Sequence, residues 1–310
     1  MNKHFLTGNE LTQTQLTQLI ETAIQQKAAP QNYTQSLAGK SIVTLFEKPS
    51  LRTRLSFDVG IQRLGGHCVY LDEQNGQLGK RETIADYAKN LSCWCDAIVA
   101  RVNQHETLQE LAKHASVPVI NSLCDQFHPC QALADCLTLV ETYGEVSGKQ
   151  LSYWGDGNNV ARSLALYAAL LGMDVTLVTP PHHGLSDADI ELLNKAGIGS
   201  VKQIHDPNAC QQSDIVYTDT WVSMGQQQSL DDVKATFMPY QVNASLIKRL
   251  GATAVMHCQP AHRDYEITSE VMDSDYSLCL QQAENRLFAQ NALLHLLLNS
   301  SATLTLQHAS

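Results

Sequence analysis

The chain has 310 residues, 44% of them apolar, and a formal net charge of -10. That is enough apolar material for two ordinary cores and too much for a disordered chain, and the acidic balance argues against a general nucleic-acid binder. Nine cysteines without a CxxC pair fit reduced thiols, the first residues carry no signal or transit pattern, and no apolar run reaches the length of a membrane span, so a soluble, cytoplasmic protein is expected.

In chain order, Leu16, Leu19, Ile20 and Ala23 recur at helical spacing within residues 11–28, and Pro30 ends that helix. Residues 37–40 form a polar turn into an apolar run, 42–46, that reads as a buried strand. Pro49 stops the ladder, and from Leu51 the pattern Leu51, Leu55, Val59, Gln62 predicts a helix. Ser50, Arg52, Thr53 and Arg54 therefore fall at a strand-to-helix turn. The first turn of a helix offers unpaired N–H groups and the positive end of the dipole, so hydroxyls and arginines placed there make a site for a phosphate-like anion. Gly65-Gly66 breaks the pattern, 68–71 is a second strand, and the glycine-containing stretch 74–81 is expected to be a mobile loop. A helix over 83–94, a strand over 97–102 carrying Arg101, a helix over 107–115 and a strand over 117–120 follow. Phe127-His128-Pro129 leads into a long helix, with Pro129 suited to its first position.

A polar, glycine-containing turn at 143–149 marks a domain boundary, with the preceding helix as connector. Beyond it the strand–helix rhythm resumes: strands over 151–154, 175–179, 215–218 and 253–256, helices up to Leu171 and over 187–196, and a last, largely apolar helix over 282–298 that must pack back on a domain. The expected fold is α/β, with two similar domains, each a mainly parallel sheet flanked by helices, facing a cleft. The boundaries are 1–143, joined by the C-terminal helix at about 286–310, and 144–285.

Polar residues gather just after predicted strands: Ser50 to Arg54, Arg101, His128 and Gln131, Asn159, Asp219 and Ser223, and His257 and Cys258, with Arg286 early in the last helix. Ligands of open α/β sheets bind at those carboxyl ends. The Gly155-x-Gly157 turn invites a nicotinamide reading, but the third glycine and the acidic residue after the next strand are both missing. His257 and Cys258 are adjacent at a strand end and point to opposite faces, which disfavours a thiol nucleophile with its own base. His182-His183 reads as an exposed loop pair rather than a metal site. Residues 219–226 join a carboxylate, an aromatic, a hydroxyl and a glycine in one loop, suited to closing over a ligand with an ammonium group partnered by Asp219.

Together these residues resemble the carbamoyltransferase family, most closely its ornithine branch. Phe-Glu-Lys-x-Ser-x-Arg-Thr-Arg at 46–54 is similar to the family's carbamoyl phosphate motif, and His128-Pro129-Cys130-Gln131 to its His-Pro-x-Gln helix. Residues 155–159, 219–226, His257-Cys258-x-Pro260 and 282–286 match in order, the Ser223-Met224-Gly225 loop distinguishing the ornithine branch. The resemblance implies transfer of a carbamoyl group from carbamoyl phosphate to the δ-amine of ornithine, giving citrulline and phosphate in arginine metabolism, by a homotrimer or an assembly of trimers without metal or organic cofactor. It implies that Ser50, Leu51, Arg52 and Thr53 hold the phosphate, that Arg101 reaches phosphate and carbamoyl oxygen, and that His128, Gln131 and Arg286 frame the carbamoyl group. It gives Asn159, Asp219, Ser223 and Met224 to ornithine and places Cys258 beside the reacting amine. Leu51, where the family usually has threonine, is similar to branches acting on acetylated or succinylated ornithine, and Gln259 replaces the usual leucine.

Overall fold

The computed structural model describes residues 3–72, 78–222 and 229–299. The chain divides into two compact units, Met1–Leu137 with Asn285–Ser310 and Thr138–Glu284. The first holds α1 (Gln13–Ala28), β1 (Ser41–Phe46), α2 (Leu51–Arg63), β2 (His67–Leu71), α3 (Ile84–Ser92), β3 (Ala97–Arg101), α4 (His105–His114), β4 (Val119–Leu123) and the start of α5 (Pro129–Tyr143). The second continues with β5 (Gln150–Trp154), α6 (Asn159–Leu170), β6 (Asp174–Val178), α7 (Asp187–Ala196), β7 (Val201–Ile204), β8 (Ile215–Thr218), α8 (Leu230–Phe237), α9 (Ala244–Leu250), β9 (Ala254–His257), α10 (Ser269–Met272) and the start of α11 (Cys279–Leu298). The divisions fall inside α5 and α11, at 137/138 and 284/285.

In the first unit four strands run in the order β2-β1-β3-β4, every neighbour parallel. β1 and β3 are buried almost throughout, as parallel strands covered on both faces must be. Val43, Leu45, Ile98 and Ala100 of these strands pack with Leu91 of α3 and Leu108 and Leu111 of α4. Phe5 adds a parallel bridge on the far side of β4. The crossovers leave in opposite directions on either side of the β1–β3 gap, which makes that gap the topological switch point.

In the second unit five parallel strands run in the order β7-β6-β5-β8-β9, and the switch point lies between β5 and β8. Trp154, Val178, Val216 and Val255 pack here with Leu246, Ile247 and Leu250 of α9. β7 and α8 to α10 escape the sequence reading; the three helices have eight residues or fewer, too short to build a clear period. Among the described residues no helix is long and apolar enough to cross a membrane.

Candidate active site

At the first switch point, β1 and β3 end side by side with Phe46 paired to Arg101. Ser50 is the N-cap of α2: in extended backbone, its Oγ accepts the Thr53 N–H at 3.3 Å. Thr53 is buried, and its Oγ1 accepts from Arg286 Nη2 at 2.9 Å. Arg286, buried on α11, also donates Nη1–H to Gln131 Oε1 at 2.6 Å. Gln131 Nε2 in turn donates to the buried carboxylate of Asp135 at 2.8 Å. A guanidinium only donates and a carboxylate only accepts, so the Gln131 amide has one possible orientation. His128, at the head of α5, is buried beside Arg286 and Arg101. Burial first, then the two positive charges, hold its imidazole well below the ordinary histidine value, so it is neutral near pH 7.

Arg101 is buried at the end of β3 and Arg52 is half-buried on α2. Arg54 does not join this group, because its guanidinium lies over the Tyr70 ring at 3.7 Å from the centroid. Leu51, the first residue of α2, is 71% exposed.

At the second switch point, Gly155, Asp156, Gly157 and Asn158 connect β5 to α6, and Asp219 follows β8. Gly155 sits at φ +122, which favours glycine. A side chain at Gly157 would meet His183 O at 2.8 Å, so only glycine lets the two loops approach. Asn158 makes the cap: its Oδ1 accepts from Val160 and Ala161 N–H and from the Tyr153 hydroxyl, while Nδ2 donates to Asp219 Oδ2 at 3.0 Å. Asn159 is half-buried at the first position of α6. Asp219, 7% exposed, also receives the Cys258 thiol at 3.0 Å on Oδ1. Ser223 and Met224, with part of the 74–81 loop, lie outside the described residues.

His183 is no idle loop residue: its Nδ1 pairs with Asp156 at 3.3 Å and its ring meets Phe237 edge-on. Burial raises the Asp156 carboxyl above its ordinary value against the lowering effect of His183, and the Asp219 charge adds to the rise. His257 and Cys258 diverge as adjacent strand residues should. His257 is fully buried, accepts the Gln259 N–H on Nδ1 at 2.8 Å and donates Nε2–H to Glu266 at 3.2 Å. Asp219, His257 and Cys258 hold donor atoms within 4.8 Å of one another, but both imidazole nitrogens are already engaged, so the group is not preset for a metal. Gln259 has a left-handed φ of 59°.

Parallel sheets with buried cations at the switch point of one unit and a buried carboxylate beside a thiol at that of the other define an α/β enzyme of two units, each with candidate chemistry at the carboxyl ends of its strands. The family of that enzyme follows from comparison. Residues 3–141 match the aspartate/ornithine carbamoyltransferase carbamoyl-P binding domain, and residues 147–297 match the Asp/Orn binding domain. An ornithine carbamoyltransferase of Shewanella oneidensis is 54% identical over 295 residues, covering 94% of this chain and 98% of that protein. One from a Vibrio species is 52% identical over 302 residues, covering 96% and 99%. The solved ornithine carbamoyltransferase of Pyrococcus furiosus superposes with a TM-score of 0.91 at 42% identity, covering 96% of this chain and 98% of that one. The chain belongs to the aspartate/ornithine carbamoyltransferase family.

Proposed function

We propose that the chain transfers the carbamoyl group of carbamoyl phosphate to the δ-amine of L-ornithine, releasing citrulline and phosphate. The neutral amine attacks the carbonyl carbon, the C–N bond forms, the C–O bond to phosphate breaks, and the amine proton leaves with a phosphate oxygen. Negative charge grows on the carbonyl oxygen and on the departing phosphate, so fixed donors aimed at both lower the barrier. In this reading Ser50, Leu51, Arg52, Thr53 and the N-terminus of α2 take the phosphate. Arg101 and the neutral N–H of His128 meet the carbonyl oxygen. Gln131 Oε1 accepts from the carbamoyl amide, and Arg286 frames that end. Asn159, Asp219, Ser223 and Met224 take ornithine, with Cys258 beside its amine.

The observation that carries this reading is the buried chain Thr53–Arg286–Gln131–Asp135 beside His128, which presents an oriented amide to a ligand carrying both an acceptor and an NH2 group. The ornithine carbamoyltransferase names of the relatives favour free ornithine over its acylated forms. The family likeness also supports a cytoplasmic homotrimer working in arginine metabolism, which light scattering on the purified protein tests for assembly. A steady-state assay of carbamoyl phosphate with ornithine, N-acetylornithine, N-succinylornithine, aspartate and putrescine tests the reaction. Citrulline forms from ornithine; no product from free ornithine overturns the reading. Arg101→Leu is expected to lower kcat by about 10²–10³-fold, as loss of one charge-stabilising donor does.

A further inference from the structure

We propose that Asn158 is the positioning residue that aims the Asp219 carboxylate, and that it thereby sets the affinity for the amine substrate. This rests on the reading of Asp219 as an ornithine ligand. The amide is fixed from one end. Its Oδ1 accepts from Val160 N–H at 2.9 Å, Ala161 N–H at 3.1 Å and Tyr153 O–H at 3.2 Å. Tyr153 is fully buried, and burial, followed by the Asp219 charge, holds its phenol well above the ordinary value, so it stays a donor. An oxygen met by these donors leaves only the NH2 end to face Asp219, and Nδ2 lies 3.0 Å from Asp219 Oδ2. Asp219 Oδ1 receives the Cys258 S–H at 3.0 Å. The carboxylate is thus clamped from both oxygens, its plane set by an amide anchored to a helix terminus.

A cap alone does not require this amide. Serine, threonine or aspartate caps a helix about as well, because capping uses only the acceptor. The donor half of Asn158 is the half that serves Asp219. The same turn carries Asp156, which repels the Asp219 charge and is hydrogen-bonded to His183 at 3.3 Å, so an unaimed Asp219 sits near a second carboxylate.

Asn158→Ser keeps a capping acceptor and removes the donor. Asn158→Asp keeps cap and size and turns a carboxylate oxygen toward Asp219. Both are expected to raise KM for ornithine about tenfold or more while KM for carbamoyl phosphate stays within about twofold, as loss of a charge-assisted hydrogen bond does. Asn158→Asp is also expected to move the acid limb of the pH profile of kcat/KM for ornithine upward, because facing carboxylates share a proton. Asp219→Asn is the control for the underlying assignment. If it leaves KM for ornithine unchanged, Asp219 is not the ligand and the proposal falls with that reading. If Asp219→Asn raises it and neither Asn158 variant does, only the proposal falls. It also falls if both Asn158 variants lower the melting temperature and weaken both substrates equally with no shift in the pH profile, which is the behaviour of a mere cap.

Discussion

His128 decides what kind of donor the first unit offers. A charged imidazole between Arg101 and Arg286 would add a third cation to a buried corner, so the site keeps it neutral. Its folded value lies below the unfolded one of about 6.5, so its contribution to stability is full above that pH and is lost as pH falls through the folded value. Gln131 depends on Asp135 in a different way. Asp135→Ala removes the acceptor of a buried amide N–H, which is expected to cost about 1–3 kcal/mol in urea unfolding and to raise KM for carbamoyl phosphate but not for ornithine. His128 and Gln131 are legible from their motif and its place before a helix. Asp135 is not, because four residues along α5 it looks like any polar helix position until Arg286 arrives from far along the chain. Asn158 is hidden by its neighbour: in Asn158-Asn159 nothing in the sequence says which one caps.

At the scale of elements, loops do the holding. The β5–α6 turn and the β6–α7 loop are joined by the Gly157 N–H donating to His183 O at 2.7 Å and by the Asp156–His183 pair. Gly157→Ala would press a methyl group on His183 O and Gly184 and drive the loops apart. The expected loss is about 1–3 kcal/mol of stability with a higher KM for ornithine, read by urea unfolding and steady-state kinetics. The N-terminal segment is expected to respond to pH. His4 Nδ1 accepts the Val119 N–H at 3.1 Å, which needs a neutral ring, and burial, then Lys3, lowers its pKa to about 4. Its contribution is full above about pH 6.5 and is lost as pH falls towards the folded value, so His4→Gln should flatten the urea midpoint across that window. Long strands and helices such as β1, β3, α2 and α5 are visible in apolar spacing, whereas β7 and α8 to α10 are held by tertiary contacts that short periods do not announce.

For the whole molecule, a net charge of -10 coexists with a corner of buried arginines because the cations there are gathered by the fold, not by composition. Inorganic phosphate, the product anion, is expected to stabilise the protein by about 2.7 kcal/mol at one hundred times its Kd, and Arg101→Leu to abolish most of that gain in thermal unfolding. The division into two parallel-sheet units is readable from the break near residue 143 and the resumed rhythm after it. The return of the last helix to the first domain is assigned from about residue 286 and the first unit takes in Asn285–Ser310, although apolar spacing alone says that a helix packs without saying where.

That return has a consequence for the order in which the protein is made. Arg286 leaves the ribosome 233 residues after Thr53 and 155 after Gln131, the side chains it joins. The sheet of the second unit is complete in the nascent chain before the first unit receives its last helix, although domains are usually finished from the N-terminus. A stalled chain ending before residue 285 therefore lacks the Arg286 guanidinium that joins Thr53 and Gln131. Under the proposed function, the phosphate-binding corner is finished only at the end of synthesis.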